Sequence, residues 1–416
     1  RIRYESWQLK YSRGRIKIML RKNNIIMVII DIFMLFLILS NYSLFFNEYA
    51  SIVYMGVFIS GVIIVLFCKF RYINKHDLYI IAFFITVMGF FLLFGKNYSD
   101  LTFIIISIIL ILTYIVILAV SQRYGLKIIL DSFVKITCII AIISLIGFVF
   151  GTYLKILKPF EYIDSSVYNW STWYGYQNYF YLYYEGQYTN IFGMSILRNM
   201  ALFSEAPLFA TILSEALFIN VFLLDNNRKR NIILVIAAFT TLSTTSIAIT
   251  ICVFFLDFYR KYLRKKKLII IVPIVAAVVA VIIGIIFYDK LFNNNMSGEV
   301  RIDDIIACFK SWEQSPWIGN GFKNIKVLKD FRVDWRQTDT AGLSTGIGGV
   351  FSDGGLILGS LYTIPFIISL IRLLKKGNKD LLYFVILLFF LFFIMIYHYT
   401  ALGMFWIAIS WYIVVN

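Results

Sequence analysis

Apolar residues in this chain run in long blocks rather than in alternation. Ten blocks have roughly the length that crosses a bilayer as a helix, about 17–25 residues. They lie at 25–45, 49–67, 78–95, 101–120, 132–153, 206–224, 268–288, 350–371, 381–397 and 400–415. Short polar connections separate most of them. Two connections, 154–205 and 289–349, are far longer and together exceed a quarter of the chain. Loops of that length are functional or disordered as a rule, and their richness in Trp and Tyr predicts order.

Lys and Arg set the expected orientation. The connections 68–77 (Lys69, Arg71, Lys75), 121–131 (Arg123, Lys127), 225–231 (Arg228, Lys229, Arg230) and 372–379 (Arg372, Lys375, Lys376, Lys379) are basic and alternate with poorer ones. The positive-inside rule then places both termini in the cytoplasm and both long loops outside. A basic opening stretch, Arg1 to Lys22, feeds the first apolar block without the pattern of a cleavable signal peptide.

One further apolar segment, 232–256, breaks the alternation, because basic runs at 228–230 and 260–267 flank it on both sides. A single crossing would carry one run to the outer face. Its middle, Thr240 to Ser246, reads T-T-L-S-T-T-S. The pattern predicts a re-entrant pair of short helices meeting at a polar elbow, a backbone tolerated at that depth only against protein or a wet cavity. The alternative is one plain helix whose hydroxyls bond their own backbone.

The expected fold is therefore an all-α polytopic membrane protein, one integral domain over 1–416, with about ten transmembrane helices, the re-entrant pair and two large extracytoplasmic loops. Composition agrees: 60% of residues are hydrophobic, 15% are charged, and only 5 are proline, a surface that water could not solvate. The net charge of +16 suggests nucleic acid at first, but the cations cluster at the ends of apolar blocks, as the membrane rule requires. Cys68, Cys138, Cys252 and Cys308 lack metal-ligand spacing, and two histidines are too few for a His-based site, so neither metal nor cofactor is expected.

Candidate chemistry concentrates in the long loops. The first holds ten tyrosines between Tyr153 and Tyr188, with Trp170 and Trp173. Its stretch 174–189, which includes Tyr183 and Tyr184, has strand-like composition around an expected turn at Glu185-Gly186. Such aromatics stack on sugar rings, or else form an interfacial belt. The loop ends in R-N-M-A-L-F-S-E-A-P at 198–207. Pro207 suits the first turn of a helix, whose positive end would attract anions. Arg198 offers a bidentate fork for phosphate, and Glu205 a base for a sugar hydroxyl; the plainer reading is a snorkelling Arg and a helix-start Glu.

The second loop carries Arg301, either a second phosphate ligand or the partner of Asp303 or Asp304 in a salt bridge. Ile302, Ile305, Ile306 and Phe309 follow on one helical face, and S-P-W-I-G-N-G-F closes the block as turn chemistry. Glycines on both sides of Asp353, in T-A-G-L-S-T-G-I-G-G-V-F-S-D-G-G, allow backbone to approach a ligand closely. An ionisable residue at that depth is a functional candidate. His398, between Tyr397 and Tyr399 at a helix end, is a weaker one.

These blocks, in this order, resemble the O-antigen and capsular polysaccharide polymerase family, relatives of the O-antigen ligases. R-N-M-A-L-F-S-E-A-P is similar to the family's Arg–small–aromatic–Glu–Pro signature. L-S-T-T-S at 242–246 is similar to its Ser-rich mid-membrane segment, Arg301 through Phe322 to its Arg and S-P-x-x-G-x-G-F block, and G-V-F-S-D-G-G-L-I-L-G to its Gly-rich helix entry. The likeness spans roughly 190–360; the first five helices match in hydropathy alone. Ala201 replaces the usual glycine, and Ser243-Thr244 stands where Ser-Arg is common. Residues 336–350 lack the histidine of ligases, which favours polymerase over ligase.

The resemblance implies a metal-independent glycosyltransferase that joins undecaprenyl-pyrophosphate-linked repeat units into a surface polysaccharide at the outer face of a bacterial cytoplasmic membrane. Arg198, Arg301 and Glu205 would be catalytic. Trp170, Trp173, Tyr183, Tyr184, Ser243, Ser246, Asp353 and His398 would contact substrate. Lipid-linked glycans, the bilayer, a flippase and a chain-length regulator would be its partners. Ligation to another acceptor would share this chemistry. A flippase or transporter is the rival from another class, but no internal repeat is visible, and mid-span charges are few, chiefly Asp31 and Lys135.

Overall fold

The computed structural model describes residues 24–68, 72–98, 100–163, 175–191, 194–262, 296–337 and 342–415. The first cationic stretch, the apolar block 268–288 and the tryptophans Trp170 and Trp173 fall outside the described residues.

The chain is a helical membrane protein. Six helices among the described residues are long and apolar enough to cross a bilayer. They are α2 (Leu44–Cys68), α3 (Lys75–Phe94), α4 (Leu101–Tyr124), α5 (Leu126–Gly147, prolonged as a π-helix to Tyr153), α6 (Ala206–Phe218, likewise prolonged to Leu223) and α12 (Gly346–Lys376). Shorter apolar helices are α1 (Asn24–Leu39) and α14 (Ala401–Val415), and α13 covers Lys379–Ile394. The expected block 25–45 is cut short because Ser40, Asn41, Tyr42 and Ser43 form a turn, with Tyr42 at a left-handed φ of 55°. Depth in the bundle differs sharply: 89% of the apolar stretch of α6 is enclosed, against 33% for α2 and α3.

The segment 232–256 is divided between α7 (Arg228–Thr240) and α8 (Thr244–Tyr262), with Leu242 left-handed (φ 49°) at the elbow. The far ends of both helices return to one place. Asn220, in the last turn of α6, bonds Asn227 and Asn231 at the start of α7, and Arg260 near the end of α8 donates to the Val221 carbonyl at 3.3 Å. Near the elbow, the Ser214 hydroxyl of α6 donates to that of Ser246 at 3.1 Å.

The first long loop is not irregular but built from short strands, an exception to the expected all-helical fold. β1 (Glu161–Ile163), β2 (Tyr176–Tyr179) and β3 (Tyr183–Glu185) form an antiparallel sheet, while β4 (Tyr188–Ile191) and β5 (Met194–Leu197) form a hairpin. The turn within 174–189 lies at Phe180-Tyr181, both left-handed, and not at Glu185-Gly186. Asn178 decides this, because its side-chain oxygen accepts from the Tyr181 amide at 2.8 Å and closes the turn. Gly186 and Gln187 instead join the two sheets.

The second loop carries α9 (Met296–Gln314), α10 (Ile325–Lys329) and α11 (Asp334–Gln337). Its glycine-rich tail interlocks with α12 at a kink where Gly355 takes φ 57°. The amides freed there, Leu356 and Ile357, donate to the carbonyls of Pro316 and Trp317. A Cβ on Gly319 would lie 2.1 Å from the Asp353 carbonyl oxygen, and one on Gly355 2.5 Å from the Trp317 carbonyl carbon. The close backbone approach that these glycines promise is between the two motifs themselves.

Candidate functional site

Arg198 emerges from β5 with its backbone amide on the Gln187 carbonyl at 2.9 Å. Its Nε donates to the Thr241 carbonyl of the elbow at 2.8 Å, which leaves the two Nη groups without a hydrogen bond among the described residues. Asn199 reinforces this junction: its amide meets the Thr240 carbonyl at 3.0 Å, and its side chain reaches Thr240 and Ser144. The next residues pass through the bundle, with the Leu202 carbonyl accepting from Leu44 and the Ser204 amide donating to Tyr42. Ala201 makes the necessary bend at φ 52°. Glycine adopts such a φ freely, whereas other residues are strained there by roughly 1–2 kcal/mol. Ala201→Gly should therefore leave the melting temperature within a few degrees of the parent and preserve activity.

Glu205 is the N-cap of α6, in extended geometry (φ −145°, ψ 145°), yet its carboxylate caps nothing. Gln187 does that work, its side-chain oxygen accepting from the Ala206 amide at 2.7 Å. One residue thus holds Arg198 by its carbonyl and the start of α6 by its side chain. Freed from capping, the Glu205 carboxylate makes no hydrogen bond or ion pair among the described residues, while its backbone carbonyl accepts from the Leu208 amide at 3.2 Å. Burial pushes its carboxyl above the ordinary carboxylate range, while the guanidinia of Arg198 and Arg301 pull the other way. Arg198, half-buried, is lowered to about 10 by desolvation, with Glu205 opposing. Arg301 is lowered by burial and raised again by Glu205 and Asp304. Both guanidinia thus act on the one carboxylate electrostatically, and no ion pair joins the three among the described residues.

Arg301 does not form the salt bridge open to it from sequence, because Asp303 and Asp304 are engaged elsewhere. The fully buried Arg336 donates Nη1 to Asp303 Oδ2 at 2.7 Å, Asp304 Oδ1 at 2.9 Å and the Val300 carbonyl at 3.1 Å. Arg332 reaches Asp304 at 3.0 Å, and the Ser344 amide donates to the other Asp304 oxygen at 2.8 Å. This network clamps the first turns of α9 and leaves the Arg301 guanidinium unspent. Removing one partner strands buried charge at a cost of about 3–5 kcal/mol, so Arg336→Ala should lower the thermal midpoint by many degrees, or prevent accumulation in the membrane.

Other expected substrate residues are placed differently. Tyr183 and Tyr184 are interior, not a sugar platform: Tyr183 packs on Gly147 with its hydroxyl 2.7 Å from Thr152, and the Tyr184 amide donates to the Ala201 carbonyl. Their strand packs against the end of α5, where Gly147 and Thr152 receive Tyr183. Among the described residues of this loop, Phe160, Tyr162, Phe180 and Tyr188 are the open aromatics. Ser243 and Ser246 are buried at the elbow, Ser246 joined to Ser214. Asp353 is buried, its carboxylate accepting from the Lys323 amide at 3.1 Å with the Tyr399 hydroxyl facing it, so it holds the glycine-rich turn. Ser352 beside it contacts Ser311, and Ser311 is ten residues along α9 from Arg301, about 15 Å at the helical rise. Asp353 therefore stands apart from the charged triad. His398 is buried against Gly346 and Gly349, and burial lowers its imidazole to about 3, with Lys323 adding to the effect, so it is neutral.

Gln187, Asn199, Arg332 and Arg336 were missed from sequence, since each acts through backbone atoms or carboxylates distant along the chain. No family model, curated protein or solved structure matches the chain.

Proposed function

We propose that this protein polymerises undecaprenyl-pyrophosphate-linked oligosaccharide repeat units into a surface polysaccharide. The observation that carries the reading is the electrostatic influence of Arg198 and Arg301 on Glu205 at the start of α6, with no ion pair to any of the three side chains among the described residues. A site with two unspent guanidinia suits a departing diphosphate, and a carboxylate with a raised pKa suits a base near neutral pH. The motif resemblance supplies the substrate class.

In this mechanism the acceptor sugar hydroxyl attacks the anomeric carbon of the growing chain, Glu205 takes the hydroxyl proton, and the bond to the lipid diphosphate breaks. Arg198 and Arg301 hold the diphosphate as charge develops on it. The α7–α8 hairpin acts as a re-entrant element, its elbow carbonyl at Thr241 aiming Arg198. Beneath the elbow, an apolar cleft between α8 and α13 lined by Phe218, Ala248, Cys252, Leu256, Tyr383 and Leu387 is suited to a polyprenyl chain. The exposed rings of Tyr162 and Tyr188 replace Tyr183 and Tyr184 as sugar contacts.

Purified protein in liposomes, given lipid-diphosphate-linked repeat units alone, tests the reading. Lengthened glycan on the lipid supports polymerisation. Glycan moved only to a different acceptor points to ligation, and lipid moved across the bilayer without bond formation points to a flippase.

A further inference from the structure

Helix α9 is built inside out. Its buried side carries Asp303, Asp304, Ala307, Cys308 and Ser311, side chains that are charged or small. Its open side carries Ile302, Ile305, Ile306 and Phe309, exposed by 46%, 41%, 46% and 54%. These positions recur as one stripe at helical spacing, the kind of face that a helix in water turns inward. Here the clamp of Asp303 and Asp304 onto Arg332 and Arg336 fixes the opposite choice. Turning the helix to hide the stripe would carry two carboxylates out of the interior and strand two buried guanidinia.

A path of aromatic contacts leads from the stripe to α12, a helix long and apolar enough to cross a bilayer. The Phe309 ring lies 5.7 Å from Trp312, and Trp312 lies 5.7 Å from Phe351 of α12. Further along α12, Leu356 and Ile367 are open apolar side chains on a helix that crosses the membrane. Exposed Trp317, just beyond α9, adds the residue type that favours bilayer interfaces. Glu299 and Lys310 border the stripe on its other flank and exposed Glu313 ends it at the last turn, an arrangement typical of a helix lying flat at a headgroup layer.

We propose that α9 is an interfacial helix, its Ile302, Ile305, Ile306 and Phe309 stripe immersed in the lipid of the leaflet on the loop side. At 100° per residue, Arg301 falls on the boundary between this stripe and the buried face. The helix thus presents a cation at headgroup level, where a lipid-borne diphosphate can meet it without leaving the bilayer. The lipid contact is independent of the reaction proposed above.

Site-directed spin labelling tests it on the full chain. In a background with Cys68, Cys138, Cys252 and Cys308 replaced, single cysteines are labelled at Ile305, Ile306 and Phe309, at Glu299 and Gln314, and at Leu93 as a lipid-facing reference. The protein is placed in liposomes of phosphatidylethanolamine and phosphatidylglycerol, and collision rates with oxygen and with a water-soluble nickel chelate are read by electron paramagnetic resonance. The three stripe sites should match Leu93, several-fold richer in oxygen than in nickel collisions, with the ratio reversed at Glu299 and Gln314. Stripe sites as open to nickel as Glu299 would place the face in water and overturn the proposal. Stripe sites closed to both reagents would mean a protein covers the face, which overturns it equally. All labelled positions are exposed, so folding is spared, and a Leu93 signal outside the lipid pattern would expose a misfolded background before the stripe is judged.

Discussion

Long polymer should disappear when either Arg198 or Arg301 is replaced by alanine, while the protein remains in the membrane at parental levels. Each guanidinium is assigned to charge that develops as the diphosphate leaves. Removal of one such preorganised donor costs about 10²–10³-fold in turnover, or ~2.7–4 kcal/mol. Neither side chain is an internal strut of the Arg336 kind: the Arg301 guanidinium has no hydrogen bond among the described residues, and Arg198 has one, to the Thr241 carbonyl. The double variant should lose less than the product of the two single losses, because both cations serve one leaving group. Arg198→Lys keeps the charge but not the fork that grips Thr241 and phosphate together, so it should recover only part of the activity. Single-turnover assays on a lipid-linked donor provide the measurement. Parental turnover in both alanine variants would sink the mechanism.

Glu205→Gln should be nearly as damaging, about 10²–10⁴-fold, the range assigned to a positioned base. Two further readouts separate a base from a strut. Burial holds the Glu205 carboxyl above the ordinary carboxylate range, and a base works only when ionised. Parental activity should therefore fall as pH drops through a midpoint higher than that of a free carboxylate, and the glutamine variant should lack that limb. Stability has the opposite sign. A carboxyl whose folded pKa is raised stabilises the fold below its unfolded pKa, and that contribution is lost as pH rises through the folded value. At neutral pH the ionised group is a burden, so the glutamine variant should melt no earlier than the parent. Loss of activity together with loss of stability would instead mark Glu205 as structural.

The helical content and the break at the polar elbow were legible in the chain, since each depends on local composition. Runs of apolar residues have no option in a bilayer but to form helices, and Pro207 and the T-T-L-S-T-T-S stretch act on their immediate neighbours. The site was legible in part. Arg198, Glu205 and Arg301 stood out because charge near long apolar blocks demands explanation. Tyr183 and Tyr184 misled because composition marks a strand without saying which face is buried, and here Gly147 and Thr152 draw Tyr183 into the interior. Asp353 misled in a similar way. Glycines that permit close backbone approach do not specify what approaches, and in this fold it is the turn at 319–324.

What the chain determined by itself was the set of apolar helices and the cations and carboxylate at their rims, because hydration and hydrogen bonding act over a few residues. Only the tertiary structure decided which of those charges are left unspent. Asp303 and Asp304 are consumed by Arg332 and Arg336, and Gln187 relieves Glu205 of capping α6. Those partners lie far apart in sequence, and their pairing follows from how the helices and strands pack, information that no local pattern carries.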